Sequence, residues 1–355
     1  MPNHSPTPDF TGAVCPTPII DQPQIVLGHG SGGRLSAELL SKVFLPAFNN
    51  PYLAKLDDQA ILNFNGAKLA FTTDAFVVTP IFFPGGDIGK LAINGTINDL
   101  AMGGAKPLYM AASFILEEGL STSELTRVVE SMRDAANAAD VQLVTGDTKV
   151  VNRGKGDKIF ITTTGIGVAP NEIEISANRA RPGDKILLSG TIGDHGMAIM
   201  SQREHLEFDS AIESDCAALH SLVAAMLEAS PDIHCLRDPT RGGVATVLNE
   251  LAAASNVAMR IDERQIPVRE AVRGACEMLG FDPLYVANEG KLVAIVGAES
   301  AAAVLAKMRA HPLGRDAKLI GEVVADHPRM VVLKTAIGGS RIVDMLFGEQ
   351  LPRIC

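Results

Sequence analysis

The last residue of the chain is a cysteine, Cys355, and its position is the first feature that suggests chemistry. Structural thiols usually pack inside the elements that they stabilise, whereas chain ends are solvated and free to move. Cys355 lies seven residues beyond Gly348, a reach of roughly 24 Å at full extension. A thiol on such a tail could be presented to another protein and then return to a pocket of its own chain. An inert terminal cysteine is the alternative that position alone leaves open.

A glycine-rich loop near the start of the chain, Gly28-His29-Gly30-Ser31-Gly32-Gly33-Arg34, is suited to binding an anion. Its glycines let backbone N–H groups approach a phosphate closely, and a helix that begins near Leu35 would add its positive end. The loop lacks the Gly-Lys-Ser/Thr ending of a Walker A motif and does not open a Rossmann unit. Ser31 and Arg34 favour a phosphate contact over a merely flexible loop.

Several acidic or amide side chains follow apolar stretches, which predicts that they lie at strand ends: Asp57-Asp58, Asp74, Asn98-Asp99 and Asp147 in Gly146-Asp147-Thr148-Lys149. Mg²⁺ bound to a nucleotide requires hard oxygen ligands from several elements. Lys149 would add a positive charge for a phosphoryl group. The set therefore predicts a magnesium–nucleotide site.

The second half of the chain carries three polar turns, of which Asn288-Glu289-Gly290-Lys291 is the most suggestive. Glu289 stands between two apolar runs, and a buried glutamate has a raised pKa that suits proton transfer. An ordinary turn acid is the alternative. Asp194-His195-Gly196 and Arg237–Gly243 open predicted helices and are suited to binding or clamping, although His195 could equally be a helix-cap residue.

Two stretches of alternating strands and helices would position these residues. In the first, strands are predicted at Ala60–Phe64, Lys68–Val78, Leu108–Leu116, Val141–Val144 and Lys158–Val168, with helices at Ile88–Met102 and Ser123–Ala139. After the turn Ala180–Asp184, strands are predicted at Lys185–Ser189, Leu284–Ala287, Lys291–Val296 and Met330–Leu333, with helices at Asp215–Ala229, Arg241–Ala254 and Ser300–Ala310. We therefore expect an α+β (mixed α/β) protein of two domains, 25–170 and 180–345, between an extension at 1–24 and a mobile tail at 346–355.

Composition narrows the possible partners. The formal net charge of −10 and the absence of a long basic run argue against a nucleic-acid surface. Five widely spaced cysteines without a CxxC pair form neither a disulfide framework nor a zinc site, so a reducing cytoplasm is expected. The first residues lack the features of a signal peptide, and no apolar run is long enough to span a bilayer.

Taken together, the motifs resemble those of the ATP-binding superfamily that contains aminoimidazole ribonucleotide synthetase, selenophosphate synthetase and the hydrogenase maturation factor HypE. From about Ile25 to Cys355 the chain is most similar to the HypE family. The resemblance rests on Gly28–Leu35, Phe71–Asp74, Phe82–Leu91, Gly146–Val151, Leu236–Gly243, Asn288–Lys291 and the ending Pro352-Arg353-Ile354-Cys355.

The resemblance implies a two-domain fold of the aminoimidazole ribonucleotide synthetase type, whose N-terminal sheets pair in a homodimer. It also implies a reaction in which a carbamoyltransferase, HypF, places a carboxamide on the sulfur of Cys355. The chain would dehydrate this carboxamide with ATP to a thiocyanate. The cyanide would then pass, through a HypC–HypD complex, to the iron of a [NiFe]-hydrogenase.

Each candidate residue receives an expected role from this resemblance. Cys355 is the modified residue, Glu289 the base that removes the amide protons, and Lys149 a cation that neutralises the developing charge. Magnesium ligands are expected from Asp58, Asp74, Asp99 and Asp147, and nucleotide contacts from Gly30, Ser31, Gly32, Gly33, Arg34, Asp74, Asn98, Asp99, Gly146, Asp147 and Thr148.

Three other interpretations share part of this evidence. A selenophosphate synthetase carries a Cys or selenocysteine in its glycine-rich loop, and Gly28–Arg34 has neither. An aminoimidazole ribonucleotide synthetase has no use for a terminal cysteine. A non-catalytic thiol carrier with a degenerate ATP fold is the alternative of a different class, and the intact set of acids and Lys149 argues against it. A CaaX lipid anchor is excluded because Cys355 is the last residue.

Overall fold

The computed structural model describes residues 24–48, 50–206, 211–346 and 353–355. The predicted extension at 1–24, except for its last residue, and most of the predicted tail lie outside the described residues. Among the described helices, none is long and apolar enough to cross a membrane.

The first half of the chain forms a five-stranded sheet and a two-stranded hairpin. Its helices are α1 (Arg34–Leu39), which continues through a π-helical turn at Leu40–Phe44 into α2 (Leu45–Phe48), then α3 (Ile88–Met102) and α4 (Thr122–Ala138). Its strands are β1 (Ala60–Phe64), β2 (Ala67–Phe76), β3 (Phe82–Phe83), β4 (Gly86–Asp87), β5 (Lys106–Glu117), β6 (Gln142–Val151) and β7 (Ile159–Ala169). The large sheet has the order β1-β2-β7-β5-β6, antiparallel except for the parallel pair β5 and β6, while β3 and β4 form the hairpin.

Helix α3 is the central element of this half. The Asp87 side chain caps its first turn by accepting hydrogen bonds from the N–H groups of Gly89 and Lys90. The helix is buried almost all round because it packs against the sheet, against α4 and against the second half of the chain. Two residues of its last turns, Asn98 and Asp99, are thereby fixed between the two halves.

The second half forms a seven-stranded sheet. Its strands are β8 (Lys185–Leu188), β9 (Ile233–Arg237), β10 (Ala258–Asp262), β11 (Val293–Val296), β12 (Lys318–Val324), β13 (Val331–Lys334) and β14 (Ser340–Ile342), in the order β14-β13-β10-β12-β8-β11-β9. Its helices are α5 (Asp194–Arg203), α6 (His220–Ala229), α7 (Gly243–Ser255), α8 (Glu270–Leu279) and α9 (Ala301–Ala310). One apolar cluster joins Phe76 and Ile93 of the first half to Met197 and Val286 of the second.

The expected mixed α/β class is confirmed, and three predicted elements need correction. Residues 284–287 do not form a strand, because Asp282 caps a 3₁₀ turn at Pro283–Tyr285. The predicted helix from Asp215 begins only at His220. The preceding segment is held instead by the side chain of Asn98, which accepts from Leu219 N–H at 2.8 Å and donates to the carbonyl of Ala217 at 3.1 Å.

The third correction concerns the predicted strand at Val141–Val144. It continues to Val151, because β6 pairs with β5 as far as Glu117↔Val151. Asp147 therefore lies in the middle of a strand rather than at its end. Likewise, Asn98 and Asp99 lie in a helix and not at a strand end.

Candidate functional site

A cavity of about 180 Å³ lies between the two halves and is lined by most of the predicted catalytic and metal-binding residues. Strand β2, helix α3, the turn that follows β9 and the turn that precedes β11 supply its walls. Its lining residues are Asp58, Thr73, Asp74, Phe76, Gly95, Asp99, Asp238, Thr240, Arg241, Glu289 and Cys355. Residues from both ends of the chain thus meet at one place.

Three carboxylates at this cavity could hold a metal ion. Asp58, Asp99 and Asp238 each offer an oxygen, and these oxygens all lie within 4.8 Å of one another. Arg237 forms an ion pair with Asp58, yet Oδ2 of Asp58 is buried and has no hydrogen-bond partner among the described residues. Thr72 donates to Asp99 at 2.9 Å and so fixes one of the three side chains.

The pKa values of these three carboxyl groups are raised, chiefly because the groups are buried. Burial is the main cause that raises the pKa of Asp58 and Asp99 well above the ordinary range, and each is raised further by its acidic neighbours. The pKa of Asp238 is raised to about 6, again mainly by burial. Close carboxylates with an unpaired oxygen are the donor set that Mg²⁺ prefers. The residues present therefore fit a divalent cation.

Asp74 and Arg241 stand on the same cavity wall. The pKa of Asp74 is raised by burial, while the positive charge of Arg241 opposes that rise. Arg241 also donates to the carbonyl of Gly30 at 3.1 Å. Arg241 is thus the cation that joins the glycine-rich loop to the cavity, whereas the sequence pattern suggested Lys149 as the positive charge for a phosphoryl group.

Glu289 is buried at the bottom of the cavity, with 2% of its surface exposed. Its N–H donates to Asp215 at 3.0 Å, and Asp215 is held in turn by Lys291 at 2.9 Å. The side-chain atom Oε1 has no hydrogen-bond partner among the described residues. Burial is the main cause that raises the pKa of Glu289 well above the ordinary range, and the charges of Asp238, Asp215 and Asp74 raise it further. When it is ionised, such a carboxylate is a stronger base than that of an exposed glutamate, which suits it to accept a proton from a bound molecule.

The described end of the tail lies beside residues 77–79, where Ile354 forms a single antiparallel β-bridge with Val78. Val77 N–H donates to a main-chain oxygen of Cys355 at 3.0 Å, and Thr79 N–H donates to the carbonyl of Arg353 at 3.2 Å. Ile354, 4% exposed, packs into the apolar cluster that the two halves share. This pairing places Cys355 in the cavity wall, in the same cavity as Glu289 and the acid cluster.

The thiol of Cys355 is protonated in this position. Burial raises its pKa well above that of a free cysteine; Arg241 opposes the shift, and nearby carboxylates add to it. A thiol, rather than the reactive thiolate, therefore occupies the cavity.

The glycine-rich loop lies over the cavity's edge, but Arg34 points elsewhere. Arg34 forms an ion pair with Asp344, and its N–H donates to the carbonyl of Leu346 at 2.8 Å. A Cβ at Gly33 would come within 2.3 Å of the same carbonyl, so close packing explains this glycine. Ser31 donates to the carbonyl of Gly28 at 2.8 Å. Gly30 and Gly32 contact Arg241 and are the part of the loop nearest the cavity.

The motif Gly146–Lys149 is not brought to the cavity within one chain. The sheet register aligns Asp74, Thr163, Ala112 and Gly146 across β2, β7, β5 and β6. Three strand spacings amount to about 14 Å. Lys149 pairs with Asp147 at 2.6 Å, and both side chains are largely exposed.

Two charged residues of the cavity, Asp238 and Arg241, were not among the site residues predicted from the sequence. One predicted nucleotide contact, Asn98, instead holds the backbone of neighbouring segments. Asp238 and Arg241 line the cavity, although the sequence pattern indicated only a clamp in their segment. Their signal was the run Arg237–Gly243, which places an acid directly after a buried strand. Asn98 lies behind Glu289, and its amide donates to the Glu289 carbonyl at 3.2 Å.

Comparison with known proteins agrees with this geometry. Residues 56–169 match the family model of the AIR synthase related protein N-terminal domain, and residues 181–333 match that of the C-terminal domain. Carbamoyl dehydratase HypE of Cupriavidus necator is 60% identical over 333 residues, which cover 94% of this chain and 95% of that protein.

Two solved structures are also similar to the chain. A HypE–HypF complex contains a chain of 50% identity, with a TM-score of 0.83 over 87% of this chain and 99% of that one. A HypE in complex with ATP has 52% identity and a TM-score of 0.79, covering 94% of this chain and all of that one.

Proposed function

This chain belongs to the carbamoyl dehydratase HypE family, and from that premise we propose that it dehydrates a carboxamide on its own Cys355 with ATP. The product is a thiocyanate on the same sulfur. One observation carries the proposal: Cys355 lines the same cavity as Glu289, Arg241 and the acid cluster. The substrate is then part of the enzyme, delivered by the pairing of the tail with residues 77–79.

The chemistry follows from the groups in the cavity. A carboxamide does not expel hydroxide at neutral pH, and ATP supplies the phosphoryl group that makes its oxygen a leaving group. Loss of both amide protons and of phosphate then leaves S–C≡N, ADP and inorganic phosphate. Glu289 accepts an amide proton, since its carboxyl group is buried, unpaired at Oε1 and of raised pKa. Arg241 faces the negative charge that develops on the oxygen.

The docked tail acts as substrate and seal rather than as nucleophile. A thiol of raised pKa attacks poorly, so carbamoylation of Cys355 takes place outside the cavity. Once the tail has returned, buried Ile354 closes the apolar side of the cavity against water. Exclusion of water protects an activated carboxamide from hydrolysis.

A magnesium ion would be held by Asp58, Asp99 and Asp238, with Asp74 on the same wall. When bound, it supplies positive charge that neutralises phosphate oxygens. Asp147 cannot join this set within one chain, because strands β7 and β5 lie between its strand, β6, and the strand of Asp74, β2.

We further propose that the chain forms a homodimer through the open face of its five-stranded sheet. Phe71, Ile166 and Tyr109 stand opposite one another on three neighbouring strands, and each is 40% or more exposed. A contiguous apolar row of this kind marks an interface. The prediction that Gly146–Lys149 contacts a nucleotide then requires the cavity of the second copy.

The partners follow from the two positions that the tail must visit. A carbamoyltransferase of the HypF type would load Cys355 in the extended state, and a HypC–HypD complex would accept the cyanide for the iron of a [NiFe]-hydrogenase. The contacts at the described tail end are few and largely main-chain, which suits reversible docking.

Mass spectrometry of the C-terminal peptide tests the proposal. After incubation of the full chain with its carbamoyltransferase, carbamoyl phosphate and ATP, the peptide carrying Cys355 should lose one water relative to its carbamoylated form. The control without ATP should retain the carboxamide. Retention of the intact carboxamide with ATP present would refute the dehydratase proposal and favour a thiol carrier. Steady ATP hydrolysis by Cys355→Ala would favour a small-molecule substrate, as in a selenophosphate synthetase.

A further inference from the structure

A chain of hydrogen bonds runs from the core of the second half to the backbone of the docked tail. The N–H of Cys216 donates to Oγ of Ser214 at 3.1 Å, and Oγ of Ser214 lies 2.8 Å from Nδ1 of His195. On the other side of the ring, Nε2 of His195 lies 2.6 Å from the carbonyl oxygen of Ile354. His195 is the second residue of helix α5 and is fully buried.

The direction of each bond in this chain is fixed by what its ends can do. The carbonyl of Ile354 can only accept, so Nε2 of His195 must carry a proton. Burial lowers the pKa of His195, which keeps the imidazole neutral with a single N–H. Nδ1 must then accept, and the Ser214 hydroxyl is the group that donates to it. The Ser214 oxygen accepts a hydrogen bond from the N–H of Cys216, so its own O–H is left to donate to Nδ1.

The ring has little freedom to leave this arrangement. Phe83 packs edge-on against His195 with 5.5 Å between ring centroids, and Ser214 N–H donates to the carbonyl of Pro84 at 2.9 Å. The opposite tautomer would direct a lone pair of Nε2 at the lone pairs of the Ile354 carbonyl. The Ile354 carbonyl therefore fixes the tautomer, and the Ser214 hydroxyl orients the ring by donating to Nδ1.

We propose that Ser214 and His195 are positioning residues that lock the tail in register, so that the sulfur of Cys355 stays within the catalytic cavity. The purpose of this lock rests on the proposed dehydratase function, but the experiment that tests it does not require dehydratase activity. His195 binds the carbonyl of Ile354, one residue before Cys355. Arg203 donates to the carbonyl of Arg353, two residues before Cys355, at 2.9 Å. Loss of the His195 bond would weaken the attachment of Ile354 and of Cys355, which follows it into the cavity.

The accessibility of Cys355 to iodoacetamide measures docking without any need for activity. The full-length chain is labelled, and the alkylated fraction of the C-terminal peptide is followed by mass spectrometry. His195→Leu removes both ring nitrogens at similar volume, while His195→Gln retains an amide donor near the position of Nε2. We expect His195→Leu to raise the alkylation rate of Cys355 about tenfold, which corresponds to about 1.4 kcal/mol. His195→Gln should stay within about threefold of the natural chain.

Two further variants define the scale and the mechanism. Ile354→Asp sets the rate of the undocked tail, because it would bury a charge in the apolar cluster. Ser214→Ala should raise the rate through the loss of the hydrogen bond that orients the ring, although His195 is retained. Cys276, which is 1% exposed in the core, must remain unlabelled, so that unfolding is distinguished from undocking.

The outcomes separate this inference from the proposed function. An unchanged alkylation rate in His195→Leu, or a natural chain that reacts as fast as Ile354→Asp, would overturn the inference. Equal rates for His195→Leu and His195→Gln would also overturn it, because a donor would then be irrelevant. Failure of the natural chain to dehydrate its carboxamide would refute the proposed function and leave these rates as they are.

Discussion

Replacement of Glu289 by glutamine should abolish the reaction while it stabilises the folded chain. Glutamine has nearly the same shape but cannot accept the amide proton, so we expect dehydration of the carbamoylated peptide to slow by about 10²- to 10⁴-fold. Docking of the tail should be unaffected, since the contacts of residues 353–355 with residues 77–79 and His195 do not involve Glu289.

The gain in stability follows from the environment of the carboxyl group. Glu289 is 2% exposed, and its Oε1 has no hydrogen-bond partner among the described residues. An unpaired, buried polar group costs about 1–3 kcal/mol, more if it is charged. Its pKa is raised in the folded chain from an ordinary value of 4.5, mainly by burial. The folded chain therefore binds the proton more tightly than the unfolded chain.

The sign of the pH dependence follows from this difference. Below the unfolded pKa both states are protonated, and the natural chain carries no penalty from Glu289. As the pH rises, the unfolded chain loses its proton first, so the free energy of unfolding falls by up to about 1.4 kcal/mol for each unit by which the folded pKa is raised. Glutamine does not titrate. Glu289→Gln should thus gain stability relative to the natural chain as the pH rises.

Urea unfolding at about pH 5 and about pH 8, with EDTA and without nucleotide, measures this difference. Glu299→Gln is the matched control, because the side chain of Glu299 is exposed in the turn before α9. An equal difference between Glu289→Gln and the natural chain at both pH values would refute the buried, proton-binding carboxyl group. Full dehydration activity in the variant would remove Glu289 from the mechanism.

Three further predictions concern the metal, the tail and the interface. Asp238→Asn should weaken Mg²⁺ binding at least tenfold in calorimetric titration and should raise the melting temperature in EDTA, because it removes one of three close carboxylates; unchanged Mg²⁺ affinity would contradict the site. Ile354→Asp should expose the Cys355 thiol to alkylation, because Ile354 is buried. Arg353→Ala should change the alkylation rate less than about threefold, since the ion pair of Arg353 is half exposed. Equal effects of the two substitutions would show that apolar burial does not hold the tail. Ile166→Lys should convert a dimer into a monomer in light scattering, while Val129→Lys, at an equally exposed position on α4, should not; a dimer in both variants would exclude the sheet face.

Local sequence patterns predicted the helices and strands that position the site better than they predicted which residues line it. Strand β1 and helix α3 have the predicted bounds, since alternating or helical periodicity and the Asp87 cap agree there with tertiary packing. Asp58, Asp74 and Asp99 line one cavity. Asp238 joins them because β9 ends beside Asp58, a contact between residues about half the chain apart that no local pattern can reveal.

The motif Gly146–Lys149 shows the opposite limit. Its residue types suit a nucleotide, but a Cβ at Gly146 would come within 2.2 Å of the Ala112 carbonyl. The close pairing of β6 with β5 thus explains the glycine without a ligand, and the length of the strand sets the motif apart from the cavity. Residue types at a given spacing cannot tell whether a second copy completes a site.

The charge balance of the cavity argues for an order of events. Among the described residues, its wall contains more acids than bases: Arg237 and Arg241 face the carboxyl groups of Asp58, Asp74, Asp99, Asp238 and Glu289. A bare triphosphate would be repelled here, so a cation must occupy the acid cluster before or together with the nucleotide. The side chain of Cys355 adds no charge to this wall, because a protonated thiol and a carboxamide are both neutral. The cavity therefore admits the modified tail through its backbone contacts with residues 77–79, and a nucleotide would require a cation held by Asp58, Asp99 and Asp238.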